Sequence, residues 1–272
     1  MGMFINTNVG AINANRNLSF NNTNMSKTME KLSSGYRINR AADDAAGLAI
    51  SEKMTYQVNG LNQAQRNAQD GISMIQTAEG DLTEVHSMLQ RLNTLANQSA
   101  NGTYDAKDRG NIQKEVTQLV KEIGRITGNS KFNGVSLLNG SNASVTFQIG
   151  VSGSETLVAT LSSNTATSLG IDAIDLSTAT KASAALATIK SAIDTVSTNR
   201  AALGAYQNRL EHTINSLGVT SENLSAANSR IKDADMATEM TAFTKNQILV
   251  QAGTAMLAQA NSAPQAVLKL LG

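Results

Sequence analysis

Hydrophobic residues recur at intervals of seven in two separate parts of the chain. In the first half the repeat comprises Met54, Leu61, Ala68, Ile75, Leu82, Leu89 and Ala96. In the second half it comprises Ile189, Val196, Leu203, Leu210, Leu217, Leu224 and Ile231. A sustained seven-residue repeat predicts α-helices that wrap around one another in a left-handed supercoil. At 1.5 Å per residue each run is about 60 Å long, which indicates a rod rather than an ordinary globular helix.

The positions four residues after each repeat residue form a second series that is only partly apolar. In the first half this series is Val58, Gln65, Ile72, Glu79, His86 and Asn93, and in the second half it is Ile193, Arg200, Gln207, Ile214, Ser221 and Asn228. Each helix is therefore expected to carry one apolar seam, here called the rod seam. The mixed series is expected to face further helices or water.

The segment between the two repeats predicts a shorter helix followed by a pair of strands. The spacing of Ile112, Val116, Leu119, Ile123 and Ile126 is helical, and Gly128 with Asn129 marks its end. After it, residues 145–150 (VTFQIG) alternate as a strand does, and residues 155–161 (ETLVATL) follow after a loop of hairpin length. The Ser- and Thr-rich residues 162–181 are expected to form a short, exposed and variable loop.

Each end of the chain carries its own apolar stripe. The members are Ile5, Val9, Ile12, Leu18, Met25, Met29 and Leu32 at the start, and Met236, Met240, Phe243, Val250, Leu257, Leu268 and Leu271 at the end. Neither stripe is flanked by a compact domain that could bury it. Such stripes pair with each other, bind another molecule, or remain disordered until they do so. The predicted fold is mainly α: an elongated hairpin of long coiled-coil helices, with both termini at one tip and the β-hairpin at the other.

Composition agrees with long helices and narrows the classes of partner. The single proline, Pro264, lies near the end, so almost nothing interrupts a helix. The net charge of +1 gives no reason to expect binding to nucleic acid or to an anionic membrane. There is no cysteine, and no run approaches the roughly 20 apolar residues of a membrane span. Residues 1–20 lack the basic and apolar regions of a secretory signal, so any export is expected to involve no cleavage.

Candidate catalytic or metal-binding residues are few. The adjacent carboxylates Asp43 and Asp44 have no converging ligands spaced for a metal, and the flanking Arg37 and Arg40 suggest ion pairs instead. The two histidines lie within the heptad segments, and no zinc-protease, nucleophile-elbow or phosphate-loop motif occurs. We therefore expect no catalysis and no cofactor.

Several long segments resemble the bacterial flagellins. They include residues 30–54 (EKLSSGYRINRAADDAAGLAISEKM), 71–105, 132–140 (FNGVSLLNG), 203–217, 222–240 and 251–272. The resemblance covers about residues 1–160 and 182–272, so this chain is similar to a minimal flagellin with almost no central variable domain. It implies a subunit that assembles with itself into the extracellular flagellar filament, the propeller of swimming bacteria.

The resemblance also implies a division of the chain. Residues 1–43 and 236–272 would be disordered in the monomer and would pair as helices in the inner tube of the filament, through the two apolar stripes. Residues 44–161 and 182–235 would form the rod. The connecting spoke, with subunit contacts, would comprise Arg37, Asn39, Arg40, Asp43 and Asp44.

Further partners follow from the family alone. They are the flagellar type III export apparatus, the flagellin export chaperone, the filament cap and the hook–filament junction proteins. The host flagellin-sensing Toll-like receptor would recognise the rod through Gln90, Arg91, Leu95, Gln98 and Glu115.

Three other classes of protein agree less well with the sequence. A hook–filament junction protein shares helical ends of this kind but would match flagellin weakly in the rod. A flagellin with an inserted enzyme would need a catalytic domain within residues 162–181, and domains below about 40 residues seldom fold alone. A helical adhesin would not explain two matched, unpacked ends.

Overall fold

The computed structural model describes the backbone of residues 7–271 and the side chains of residues 7–262. In chain order the helices and strands are α1 (Val9–Ser34), α2 (Ala45–Ala100), α3 (Ala106–Asn129), β1 (Lys131–Phe132), β2 (Val135–Ser136), β3 (Ser144–Gln148), β4 (Thr156–Thr160), α4 (Ala179–Lys232) and α5 (Met236–Leu271). The predicted mainly α fold with a small β region is confirmed. No helix among the described residues is long and apolar enough to cross a membrane.

The chain divides into two compact units. The central unit comprises Val58–Glu222, and the terminal unit comprises Met1–Gln57 and Asn223–Gly272. The long helices α2 and α4 contribute residues to both. The terminal unit thus extends further into α2 and α4 than the boundaries at 43 and 236 drawn from the sequence.

In the central unit α2 lies antiparallel to both α4 and α3. Ser221 Oγ donates to Asn62 Oδ1 at 3.1 Å, and Arg200 lies 3.7 Å from Glu79, so rising numbers on α2 meet falling numbers on α4. Arg109 of α3 donates to the carbonyl oxygen of Ser99 at 2.9 Å. The predicted third helix is confirmed, and Asp105 caps its start by accepting from the backbone N–H of Asp108 at 2.8 Å.

The rod seam forms the core of the central unit. Its buried members are Leu61, Ala68, Ile75, Leu82, Leu89 and Ala96 on α2, with Ile189, Val196, Leu203 and Leu210 on α4. Met54, Leu217, Leu224 and Ile231 are only half-buried. Burial of the seam therefore fades towards the start of α2 and the end of α4.

The sequence interpretation missed the buried companions of the rod seam on α2. The buried companions of the rod seam lie three residues after each repeat residue, at Ala64, Gly71, Ala78, Val85, Leu92 and Ser99. Gln65, Glu79 and Asn93, four residues after, are half-buried. Ala64, Gly71, Ala78 and Ser99 are small, so neighbouring elements can approach α2 closely at these positions.

Two antiparallel hairpins follow α3. The predicted pairing of β3 with β4 is confirmed, and the alternate residues Leu157 and Ala159 of β4 are buried. The smaller hairpin of β1 and β2 was not predicted. Its turn is Asn133–Gly134, with φ of 47° and 83°, which is the left-handed backbone that a two-residue hairpin turn requires.

Residues 162–181 are not the exposed loop that the sequence suggested. Asn164, Leu169, Ile171 and Leu176 are buried in the central unit. Polar side chains of neighbouring helices bind the backbone of this segment. Ser99 Oγ donates to the carbonyl oxygen of Leu176 at 2.6 Å, and the backbone N–H of Leu176 donates to Gln113 Oε1 at 2.6 Å. The segment therefore contacts the C-terminal end of α2 and the first half of α3, where Ser99 and Gln113 lie. Helix α4 begins within this segment, at Ala179.

Candidate self-assembly surface

Helices α1 and α5 pack against each other along one face each. The facing positions recur every three or four residues: Ala11, Ala14, Leu18, Asn21, Met25, Thr28 and Leu32 on α1, with Glu239, Phe243, Asn246, Val250, Gly253, Leu257 and Ala260 on α5. Gly253 allows Leu18 to approach the α5 backbone, since a Cβ there would lie 3.3 Å from Leu18 Cδ1. These positions follow the spacing of a two-helix seam.

Two polar contacts set the register of α1 against α5. At one end Asn8 caps α1 and donates from Nδ2 to the carbonyl oxygen of Ala260 at 2.7 Å. At the other end Lys31 Nζ lies 3.0 Å from Glu239 Oε1, with both side chains largely shielded from solvent. A shift of one helix along the other would break both contacts.

The segments that link α1 to α2 and α4 to α5 are joined through their backbones. Gly35, with φ of 75°, ends α1 in the left-handed conformation. The N–H of Arg37 then donates to the carbonyl oxygen of Lys232 at 2.7 Å, and the N–H of Ala234 donates to that of Gly35 at 2.9 Å. The Lys232 ammonium lies 4.6 Å from the centre of the Tyr36 ring.

Asp43 and Asp44 have separate structural roles. The backbone N–H groups of Arg40 and Asn39 donate to the Asp43 carboxylate at 3.0 and 3.2 Å and hold its pKa below the ordinary value. Asp44 caps α2 by accepting from the N–H of Gly47 at 2.8 Å. Each carboxylate thus binds backbone N–H groups of its own segment.

The sequence suggested ion pairs between the arginines and the aspartates of the spoke, and for Arg40 this expectation was wrong. Arg40 binds Glu30 through two hydrogen bonds of 2.8 and 3.1 Å, and its guanidinium does not form a salt bridge with either aspartate. Arg37 reaches Asp44 only at 4.0 Å. Long, flexible arginine side chains have several carboxylates within reach, so sequence adjacency alone did not identify the partner.

Most exposed large apolar side chains of the described residues lie in the terminal unit. They are Val9, Ile12, Phe20, Met29, Tyr36, Ile50, Tyr56, Met236, Met240, Ile248, Leu249 and Met256. The central unit exposes only Val135, Val158 and Val219. Ile38 is the one buried apolar residue in the described part of the terminal unit. The terminal unit therefore has very little core of its own.

The apolar stripes predicted from the sequence are each divided between two faces. Leu18, Met25 and Leu32 are half-buried on the face of α1 towards α5, and Phe243, Val250 and Leu257 are half-buried on α5. Val9, Ile12, Met29, Met236 and Met240 are exposed. Ile5, Leu268 and Leu271 lie outside the residues whose side chains are described.

A charge pattern that the sequence interpretation missed marks the same helices. Residues 1–26 contain one charged side chain, Arg16, and residues 246–272 contain one, Lys269. A helix that remains in contact with water on one face normally carries charged residues there. The scarcity of charge indicates that α1 and α5 are adapted to burial on more than one side.

The residues predicted to bind a receptor lie in the central unit, and four of the five are on its surface. Arg91 Nη2 lies 2.8 Å from Glu115 Oε1, and Gln98 donates to the Tyr104 hydroxyl at 3.0 Å. Gln90 is exposed as well. Leu95 is only 2% exposed, so it supports this surface from below rather than contacting a partner.

Nothing in the described residues suggests a metal or catalytic centre. They contain no group of three His, Cys, Asp or Glu side chains able to hold a metal ion. His86 Nε2 lies 3.0 Å from the Gln90 amide nitrogen, one helical turn away.

Models of two protein families match most of the chain. The bacterial flagellin N-terminal helical region matches residues 5–143, and the bacterial flagellin C-terminal helical region matches residues 186–271. The chain belongs to the bacterial flagellin family. It is a structural subunit of the flagellar filament that polymerises with itself, and it is not an enzyme.

Two relatives match this chain over nearly its full length. A flagellin of Halalkalibacterium halodurans is 52% identical over 271 residues, covering 99% of this chain and all of the relative. A 33 kDa flagellar filament core protein of Treponema phagedenis is 50% identical over 285 residues, with the same coverage. The crystal structure of Bacillus cereus flagellin is 30% identical with a TM-score of 0.52, covering 60% of this chain and 94% of that one. The strong match extends through the rod, where a junction protein would match weakly.

Proposed function

We propose that the exposed apolar faces of α1 and α5 are the surfaces through which copies of this chain assemble into the inner tube of the filament. The observation that carries the proposal is the contrast between the two units. Among its described residues the terminal unit exposes twelve large apolar side chains and buries only one, that of Ile38. Exposed apolar side chains concentrated on one part of a protein mark a surface that binds other molecules.

Folding of the ends and assembly would then be one event. Each large apolar side chain that leaves water contributes roughly 1.5–3 kcal/mol, against a cost of about 1–2 kcal/mol for each residue whose backbone is ordered. One seam between α1 and α5 cannot offset that cost, and α1 contains six asparagines between residues 13 and 24, which favour helix weakly. Residues 1–43 and 236–272 are thus disordered in the free monomer and order as neighbouring subunits cover them.

A matched pair of substitutions tests this surface. Ile12→Thr removes apolar area from the exposed face of α1, and Val158→Thr makes a similar change on the exposed face of β4. We expect Ile12→Thr to raise the critical concentration for growth from filament seeds about tenfold, and Val158→Thr to change it little. Light scattering with electron microscopy measures both. Equal critical concentrations for the two variants would contradict the proposal.

The proposal extends to the spoke and to the proteins that export and assemble the chain. Arg37, Asn39, Arg40, Asp43 and Asp44 connect the terminal helices to the rod and contact neighbouring subunits. The chain leaves the cell through the flagellar type III apparatus, with the C-terminal stripe held by the export chaperone. Assembly outside the cell then involves the filament cap and the hook–filament junction proteins. The family resemblance supports these steps.

Recognition by the host flagellin-sensing Toll-like receptor is a second proposal. Exposure of Gln90, Arg91, Gln98 and Glu115 on one part of the central unit supports it, with Leu95 beneath them. Arg91→Ala removes the guanidinium that pairs with Glu115. We expect it to reduce receptor signalling by monomer at least tenfold, measured in reporter cells, whereas Lys190→Ala on α4 should have little effect. Unchanged signalling by Arg91→Ala would refute this assignment of the binding surface.

A further inference from the structure

We infer that Lys245 forms an ion pair with a carboxylate of a second copy of this chain when the filament assembles. The inference rests on the proposed self-assembly surface of α5. It specifies that a carboxylate of the second copy contacts this surface at Lys245. Lys245 is exposed on α5, beside a shallow groove of about 460 Å³ lined by Thr241, Thr244, Ile248 and Leu249.

The groove is apolar apart from Lys245. The hydroxyl groups of Thr241 and Thr244 donate to the carbonyl oxygens of Ala237 and Met240, each at 2.9 Å, within the same helix. Their methyl groups and the side chains of Ile248 and Leu249 are what a partner would contact. These two apolar side chains are exposed by 59% and 38%.

Lys245 has no carboxylate partner among the described residues of its own chain. The carboxylate one and a half turns earlier, Glu239, is already bound to Lys31 at 3.0 Å. After Lys245, the remaining residues contain no acidic side chain at all. Among the residues whose side chains are described, nothing but water can therefore satisfy the charge on Lys245.

Covering the groove with another copy would remove that water. An unpaired ammonium is costly to bury, whereas an ammonium paired with a carboxylate is tolerated. The second copy supplies candidates, because its linking segments carry exposed acidic residues. Asp43 is one of these: it is exposed and stays ionised, since two backbone N–H groups stabilise the charged form.

Three substitutions at Lys245 test the pair through seeded growth of full-length protein. We expect Lys245→Arg to keep the critical concentration within about threefold of the wild type, because it keeps the charge. Lys245→Met should raise it at least about tenfold, because a buried carboxylate is left unpaired, and Lys245→Glu should raise it further through repulsion. Lys107→Met, which removes an exposed lysine of the central unit, is the control.

Cross-linking of assembled filaments identifies the partner. A carbodiimide joins an amine to a carboxylate only at ion-pair distance, and mass spectrometry then shows whether Lys245 is linked to an acidic residue. Mixed filaments of isotopically light and heavy chains distinguish a link between copies from one within a copy. Lys245→Arg, which lacks the primary amine, should give no such link.

The outcomes separate this inference from the self-assembly proposal itself. Loss of growth in the order expected, with a cross-link between copies, supports the ion pair. Growth of Lys245→Glu at the wild-type critical concentration overturns it, as does the absence of any link from Lys245 in filaments. If Ile12→Thr still impairs growth in that case, only the ion pair fails. If neither position matters, the assembly surface itself is wrong.

Discussion

A chain that ends at Asp235 is expected to remain monomeric under conditions in which the full-length chain grows from seeds. The deletion removes all of α5 and with it five of the twelve exposed large apolar side chains of the terminal unit. It also uncovers Leu18, Met25 and Leu32 on α1, which α5 half-buries. Neither the seam nor the outer surface of the pair can then form, so growth should be undetectable even tens of times above the wild-type critical concentration.

The measurement is seeded polymerisation followed by light scattering and electron microscopy. A control shows that the deletion leaves the rest of the molecule folded. Because the buried apolar core lies in the central unit, the truncated chain should unfold in urea at nearly the wild-type midpoint. Filaments grown from the truncated chain would show that α5 is not needed for assembly.

Leu89→Ala is expected to lower the free energy of unfolding of the monomer by about 2–5 kcal/mol. Leu89 is fully buried in the rod seam of the central unit, so truncation leaves a cavity as well as losing apolar burial. Leu224→Ala makes the same change in the corresponding seven-residue repeat of α4, but Leu224 is half-buried in the terminal unit. Its effect on the monomer should stay below about 1 kcal/mol, since a partly exposed side chain leaves a smaller cavity.

Urea unfolding followed by circular dichroism measures the two variants side by side. The comparison tests whether burial, rather than the repeat itself, provides the stability. Equal losses at the two positions would mean that the terminal unit is as firmly packed in the free monomer as the central unit. That result would also argue against disorder of the ends before assembly.

The rod seam shows which buried positions periodicity alone predicts and which it does not. Hydrophobic residues at every seventh position identified α2 and α4 and their buried face, because each repeat residue is apolar. The companion positions could not be assigned in the same way. Ala64, Gly71 and Ser99 look no more buried in the sequence than Gln65, yet the structure buries them. A small residue fits a close contact, and only the position of the neighbouring element shows that the contact exists.

Residues 162–181 illustrate the opposite error. Serine, threonine and alanine dominate the segment, so composition favoured an exposed loop. Four widely spaced residues are nevertheless buried, and Gln113 and Ser99 bind its backbone. The polar side chains that satisfy this backbone come from α2 and α3, more than 60 residues earlier in the chain, so local sequence contained no sign of them.

The sequence by itself determined the long helices, the β3–β4 hairpin, the family and the presence of an apolar stripe at each end. These depend on local periodicity, turn chemistry and long shared motifs, which a single chain displays without a partner. The tertiary structure alone decided which half of each stripe faces the other helix and which half remains exposed. Those outcomes depend on the rotation and register of α1 against α5 and on the backbone contacts of the linking segments. Contacts of that kind join residues some 200 positions apart, so no local pattern specifies them.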